Sequence, residues 1–559
     1  MGPIDQNTAT MIIAIGLGII FILALFIGGK LGKRKLRKQI RARWGNAPFV
    51  NPIDSEKSLR QAWQYAKNFR HYDSEIDDIT WYDLDMFALF EALNATYSSV
   101  GSEALYQRLR NFDFRDKEAK ELEDLIKFYE ENPKIREKIQ IAFAELGKVE
   151  FNQAKEYLAL EETTAIKGFY LHVCLGLLPI VGFVIGMLGF MGGFILTLLV
   201  FLFNVIYYVR KKELLNRQLR SLSYVVRTLG LAVRLSKLDL PCKEALEKRL
   251  KPLRKTLYFG TSFRVKTTSE LEFLIDFINM IFMLSFIAYN FILKQLAKHN
   301  QAAIQLWEIV GDLEVAYAVL NFRIQMGSSC LPTFQKGGLV AQNSFHPLLE
   351  KPVKNPVFWE KNTIITGSNA SGKSTYVKSV AINCILAQTI HTALADSLTM
   401  ERGHVLSSMA VKDDLFVGDS YFVSEIRSLY RILQQLQTGE RCYCFIDEIL
   451  RGTNTVERIA ASSNVIRWMT SFNSLVLVAT HDIELPEILS NHCENIHFEE
   501  QVVEGEVRFD YLLKDGVAKT RNAILLLQTM DFPQEIVTQA QAGAEYFERN
   551  RSWQVFDTE

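Results

Sequence analysis

Apolar and polar positions divide this chain into three textures. Residues 11–29 are nineteen in a row without a charge, and residues 168–209 are forty-two without Asp, Glu, Lys or Arg. The first run is long enough to cross a bilayer once. The second is too long for one crossing and right for two, with residues 189–193, Gly-Phe-Met-Gly-Gly, as the turn between them. Residues 78–165 and 213–325 show a second texture, apolar residues at helical spacing with i, i+4 charge pairs, which predicts long packed helices. From about residue 330 short β-branched runs alternate with helical patterns. Residues 363–366, 442–446 and 475–479 read as buried strands of a mostly parallel sheet.

Residues 274–293 are also apolar but carry Asp276, Asn279, Ser285 and Asn290. A crossing here would put everything downstream on the opposite side from the end of the hairpin. The stretch is therefore expected to be a buried or partner-facing helix of a soluble domain.

Charge sets the expected topology. Lys30, Lys33, Arg34, Lys35, Arg37, Lys38, Arg41 and Arg43 follow the first apolar run and no positive residue precedes it, so an uncleaved anchor with its N-terminus outside is expected. Lys167 and the Arg210-Lys211-Lys212 run flank the hairpin, so both its ends, and all that follows, are expected on the cytoplasmic side. Lys+Arg and Asp+Glu are both 63, and this balance excludes a global basic field for nucleic acid and leaves only local patches. Seven scattered cysteines without metal spacing read as reduced structural thiols.

Candidate chemistry concentrates in the last texture. Gly367, Ser368, Asn369, Ala370, Ser371, Gly372, Lys373, Ser374 and Thr375 form a complete G-x-x-x-x-G-K-[ST] phosphate loop between a predicted strand and a predicted helix. The glycines let backbone amides turn toward phosphates, Lys373 reaches the β- and γ-phosphates, and Ser374 can ligate Mg2+. About seventy residues on, Asp447 and Glu448 end an apolar strand, placed to hold the metal and to polarise an attacking water. His481 ends the next strand, where an imidazole could sense the γ-phosphate.

These motifs, in this order, resemble the ATPase domain of the MutS family of mismatch-repair proteins. The residues that carry the resemblance are 366–375, Gln388, 413–422 with Glu425, 446–455 and 479–485, with support from 345–349, 511–518 and 532–537. Residues 98–109 and 124–133 are similar, less specifically, to the start of that family's helical lever. The resemblance implies an α/β P-loop NTPase domain C-terminal to an all-α lever domain, here with transmembrane helices. It implies ATP and Mg2+ as cofactors, catalytic roles for Glu448, Asp447, Lys373 and His481, and a homodimer in which Ser420 reaches the partner's γ-phosphate. Residues 451–455 would couple the site to that partner.

The implied organisation is an anchor over 1–30, a basic segment and linker over 31–77, and lever parts over 78–167 and 210–329 around a transmembrane hairpin at 168–209. The ATPase domain with its helix-turn-helix spans 330–545, and 546–559 is a tail. The family's mismatch-reading domain has no room between the anchor and the lever. Phe128-Tyr129-Glu130 repeats three letters of its wedge but lies in a helical pattern, so it is expected to be structural. Expected partners are a second copy, the lipid bilayer of the inner membrane, and DNA or a DNA repair or recombination complex. The alternative is an ATP-driven membrane mechanical or remodelling protein without DNA binding.

Overall fold

A computed structural model describes residues 28, 31–48, 50–159, 168–263, 271–368, 371–409, 421–503, 506–518, 524, 527–528, 530 and 532–555. The expected anchor at 11–29 therefore lies, but for Gly28, outside the described residues. By contacts the chain divides into a helical unit (residues 1–71, 91–108 and 120–325) and a sheet unit (72–90, 109–119 and 326–559). The helical pattern read over 78–167 is thus shared between the two units.

In the helical unit the spine is the helix Asn300–Met326, buried almost continuously from Val310 to Phe322. Such all-round burial is what a helix apolar on every face requires. A polar cluster lies against it. Glu314 accepts hydrogen bonds from the Tyr97 amide at 2.6 Å and from the Ser98 hydroxyl. Asp54 accepts from Asn94 at 2.7 Å and from Ser102 at 3.0 Å, and pairs with Lys148. Glu103 and Lys155 face each other at 3.8 Å, both buried. Burial pushes the carboxyls of Glu314 and Glu103 up to about 7. Tyr129 is fully buried within the helix Asp116–Glu131 and donates to the Leu313 carbonyl at 2.9 Å, a structural role for the wedge-like tripeptide.

The 168–209 run forms two helices long and apolar enough to cross a membrane, Phe169–Met187 and Met191–Leu214. Gly189 takes a positive φ of 98° at the reversal, so the turn is 188–190 and the glycines at 192 and 193 already belong to the second helix. Gly193 lets the two helices touch: a Cβ there would lie 2.3 Å from the Gly186 amide nitrogen. The expectation for 274–293 is corrected. The stretch is not one helix but two, Leu271–Phe282 and Leu284–Lys298, bent by 83° at Met283; both pack against the hairpin, and the second also packs on other helices of the helical unit. Met283 has φ 54° and is fully buried; no Gly or Pro marks the break.

The sheet unit opens with the short pair β1 (Ser74–Glu75) and β2 (Asn111–Phe112). A four-stranded sheet follows, of β3 (Thr333–Phe334), β4 (Leu339–Ser344), β5 (Asn355–Trp359) and β7 (Ser397–Met400), in the order β3-β7-β4-β5. The main sheet holds β6 (Thr363–Thr366), β8 (His404–Ser408), β9 (Cys442–Asp447), β10 (Ser474–Ala479), β11 (Glu494–His497) and β14 (Lys514–Asp515), in the order β14-β11-β6-β10-β9-β8, while β12 (Glu500–Val503) and β13 (Glu506–Phe509) pair with each other. Its pairings are parallel except at β14.

Strands β6, β9 and β10 are buried along their whole length. That is why their sequences read as unbroken apolar runs rather than alternating ones. Ile364, Cys444, Ile446, Val476 and Val478 form one core with Leu429, Ile432, Ile466 and Met469 of the covering helices. All seven cysteines are free thiols, and Cys442 and Cys444 lie inside this core. The edge strand β8 is covered by the short helix Asp78–Asp83. Asp83 accepts from the Ser407 hydroxyl at 2.7 Å and the Met409 amide at 3.0 Å, and Thr80 accepts from the Ser407 amide at 3.1 Å. These contacts occupy the outward amides of Ser407 and Met409 on that edge.

Candidate functional site

The register of the parallel strands decides which side chains meet. Ala479 pairs with Asp447 on one side and with Ile365 on the other, so β6, β10 and β9 end level. Two further amides extend the seam: Glu448 N donates to Ala479 O and Thr480 N to Ile365 O, each at 2.9 Å. The phosphate-loop sequence, Asp447-Glu448 and His481 therefore leave adjacent strands at their carboxyl ends, the edge where open α/β sheets bind ligands.

Gly367 (φ 144°) and Gly372 (φ 102°) both occupy backbone conformations that disfavour side chains. At Gly367 a Cβ would also lie 2.6 Å from the Phe498 carbonyl. Gly372 leads into the helix Lys373–Ile390, whose free N-terminal amides and dipole suit an anion. Lys373 is buried and its ammonium donates to the carbonyls of Gly367 at 2.7 Å and Ser368 at 2.8 Å. Burial lowers its pKa against the pull of Glu448 and Asp447. Ser368 is tied to Glu500 at 2.8 Å. Ser374 and Thr375 stand exposed at the start of the helix. The backbone and side chains of Asn369, Ala370 and Ser420 lie outside the described residues.

Glu448 holds φ 57°, a left-handed position for a non-glycine residue. Its Oε2 meets Nδ1 of His481 at 2.9 Å and Nε of Arg451 at 2.5 Å. Burial alone would raise its carboxyl, but hydrogen bonds and charge from His481 and Arg451 outweigh it and hold the pKa at about 2. The same hydrogen bond raises the pKa of His481, which is nearly half exposed. Among the described residues Asp447 Oδ1 and Ser371 Oγ are buried without a hydrogen-bond partner. Ser371 belongs to the loop and Asp447 ends β9, and a ligand on the loop would supply partners for such buried orphans. The donor set fits a nucleotide phosphate and a hard cation: two glycines, a buried lysine, a serine at the helix start and a carboxylate with a free oxygen.

A cavity of about 670 Å³ opens beside the loop, lined among others by His346, Lys351, Asn355, Ser374, Glu448 and Tyr511. Burial and the nearby Lys378 push His346 down to about 4, so it presents a neutral ring at pH 7. The loop, both carboxylates and the histidine, singled out in the sequence, come together at these strand ends. Sequence reasoning missed Glu500 and the buckle between Arg458 and Asp482, whose two hydrogen bonds of 3.0 and 2.6 Å tie the helix Thr455–Met469 to the His481 loop. Gln388, expected among the motifs, accepts from the Gly403 amide at 2.9 Å and so shapes the β7–β8 turn.

The family model for MutS domain V matches residues 363–548. The chain is 30% identical over 238 residues to the DNA mismatch repair protein MutS of Staphylococcus epidermidis, across 40% of this chain and 27% of that protein. It is 31% identical over 220 residues to MutS protein homolog 4 of Homo sapiens, across 36% and 23% respectively. To the DNA mismatch repair protein MutS of Thermotoga petrophila it is 26% identical over 268 residues, across 46% and 33%. The chain thus spans between 23% and 33% of the length of these curated relatives.

Proposed function

We propose that this chain, a member of the MutS family through its domain V, is a membrane-held ATPase that pairs through its nucleotide domains. Hydrolysis there moves a helical lever that acts on DNA or on a DNA repair complex. In this reading residues 330–545 are the P-loop ATPase domain, 78–167 and 210–329 the lever, and 168–209 a hairpin across the inner membrane. Residues 11–29 add a third crossing, with the N-terminus outside and the ATPase domain cytoplasmic.

The observation that carries the reading is the meeting of Lys373, Asp447, Glu448 and His481 at the level ends of three parallel strands. Lys373 leaves the carbonyls of Gly367 and Ser368 to donate to the β- and γ-phosphates. Ser374 and the unpartnered Oδ1 of Asp447 would hold magnesium, which would neutralise charge at the phosphate oxygens. Glu448 is ionised and takes a proton from the attacking water. With its pKa near 2 it is a weak base while Arg451 and His481 hold it. Release of Arg451 from that oxygen would make Glu448 a stronger base, and in this reading Ser420 of a second copy acts and His481 turns to the γ-phosphate at that point.

The names of the Staphylococcus epidermidis and Thermotoga petrophila relatives, both DNA mismatch repair proteins, support a DNA partner. The test is binding of mismatched and branched duplexes by the full chain in nanodiscs across a salt series, with and without ATP and magnesium. Nucleotide-dependent binding that weakens with salt supports the DNA role, and none at low salt removes it. The apolar hairpin favours the second reading, a membrane mechanical or remodelling ATPase without DNA binding. Turnover stimulated by bilayer but indifferent to DNA would select it.

A further inference from the structure

The bent pair of helices after the hairpin has no role in the nucleotide site, yet the hairpin is shaped around it. The inference that follows rests on the reading of 168–209 as a membrane hairpin. Asp276, in the first bent helix, pairs with Lys212 at 3.2 Å, at the basic end of the second hairpin helix. Moving from that basic end into the apolar part of the hairpin, Phe277 packs on Phe201 with centroids 5.7 Å apart, and Ile281 and Phe282 lie beside Pro179, Thr197 and Leu198. Phe277 and Ile278 keep large exposed apolar surfaces. The helix then breaks at Met283, and the chain turns by 83°.

The seven residues from Asp276 to Phe282 rise about 9 Å over six steps, far short of the ~30 Å needed to cross. After the bend, Ser285 meets Tyr208 at 3.1 Å and Tyr289 packs on Tyr157, which precedes the hairpin in sequence. Both flanks of the break thus return to the end of the hairpin from which they came.

A broken helix at membrane depth leaves carbonyls without partners, and such backbone is tolerated only where protein covers it. The hairpin covers it at two places. Asn204, fully buried, splits its amide between the carbonyls of Leu175 and Ile281, each at 2.8 Å. Gly176 admits the Phe282 carbonyl so closely that a Cβ would lie 2.4 Å from it. One proton of Asn204 thus serves the hairpin and the other the broken helix, and Gly176 leaves the space in which the break fits.

We propose that residues 276–289 form a re-entrant elbow: they enter the bilayer beside the hairpin from the side carrying the helical unit, turn at Met283 and leave on that same side. The lipid-facing surface of the protein then includes Phe277 and Ile278 as well as the hairpin. Asn204 and Gly176 act as the elbow's receptor.

Single cysteines introduced into the full chain, with Cys174, Cys242 and Cys330 replaced by Ser, test this in sealed proteoliposomes with an impermeant maleimide. Tyr258→Cys and Lys298→Cys flank the elbow, Gly189→Cys marks the hairpin turn, and Trp553→Cys marks the side of the nucleotide domain. The proposal expects positions 258, 298 and 553 to label from one side and 189 from the other. A spin label at Phe277→Cys should be relaxed by oxygen rather than by aqueous nickel. Labelling of 258 and 298 from opposite sides would mean a full crossing, and nickel access at 277 would mean no insertion; either overturns the elbow while leaving the hairpin standing. Position 189 on the same side as 553 would instead overturn the hairpin itself. Asn204→Leu, which makes the hairpin more apolar, should leave 189 where it was and shift position 277 several-fold toward nickel access. No shift would show that Asn204 does not hold the elbow.

Discussion

Nδ1 of His481 lies 2.9 Å from Oε2 of Glu448, joining the loops that leave β10 and β9. The pair exists because the two strands end in register, and Arg451 closes on the same oxygen from the other side. Glu448 is thereby kept ionised and kept quiet.

That clamp has a pH signature. The pKa of Glu448 is depressed from 4.5 to about 2, so its contribution to stability is complete above 4.5 and is lost as pH falls toward 2. The pKa of His481 is raised above 6.5, so its contribution is complete below 6.5 and is lost as pH rises through the raised value. The interaction is worth most between these two ordinary values, on the order of 1–2 kcal/mol after allowance for the exposed imidazole. Arg451→Ala should raise the pKa of Glu448 and move the acid limb of the pH–rate profile upward. An unmoved limb would separate Arg451 from the carboxylate in solution.

Glu314 carries the opposite sign. Its pKa is raised by burial to about 7, so the stability its neutral form supports is full below 4.5 and declines as pH rises through about 7. Glu314→Gln keeps a hydrogen-bond acceptor for the Tyr97 amide and removes the charge. The variant should flatten the pH dependence of the unfolding midpoint between 4.5 and 7, and be the more stable form at pH 8 by about 1–3 kcal/mol. Parallel curves for variant and parent would show that Glu314 does not titrate in this range.

Gly193→Val addresses the hairpin. The added side chain meets the backbone of Gly186 and Gly182, which cannot yield as a flexible side chain would. The two helices must separate, and protease protection of the 168–209 segment in proteoliposomes should fall. Gly192→Val, where a Cβ meets nothing within 4 Å, is the matched control and should leave protection unchanged.

Asp77 caps the helix that covers β8, accepting from the Thr80 amide at 2.8 Å, and pairs with Arg431. Asp77→Ala should lower the thermal midpoint by the equivalent of about 1–2 kcal/mol. Asp77→Asn keeps the cap and should recover part of that loss.

What the sequence disclosed follows from how each feature is encoded. Strands β6, β9 and β10 are buried on both faces, so their identity is written in contiguous apolar letters. The phosphate-loop residues have fixed spacing because one strand-to-helix turn sets them all. The covering of β8 was illegible: Asp78–Asp83 is six residues within a stretch of ordinary helical pattern, and its partners at 407–409 lie over three hundred residues away. The break at Met283 was illegible for a different reason. Its backbone is held by Asn204 and by the space at Gly176, not by any residue near the bend. Glu500, and the pairing of Asp482 with Arg458 inside the 479–485 motif, were illegible because a single carboxylate after a strand carries no pattern until its partner is seen.

The central claim, that these strand ends form an ATP-hydrolysing site, is tested most directly by magnesium-dependent phosphate release from the full chain in nanodiscs, beside Lys373→Ala and Glu448→Gln. The parent should turn over, Lys373→Ala should lose nucleotide binding, and Glu448→Gln should keep binding with turnover reduced about 10²-fold or more. Turnover in Glu448→Gln equal to that of the parent would contradict that claim.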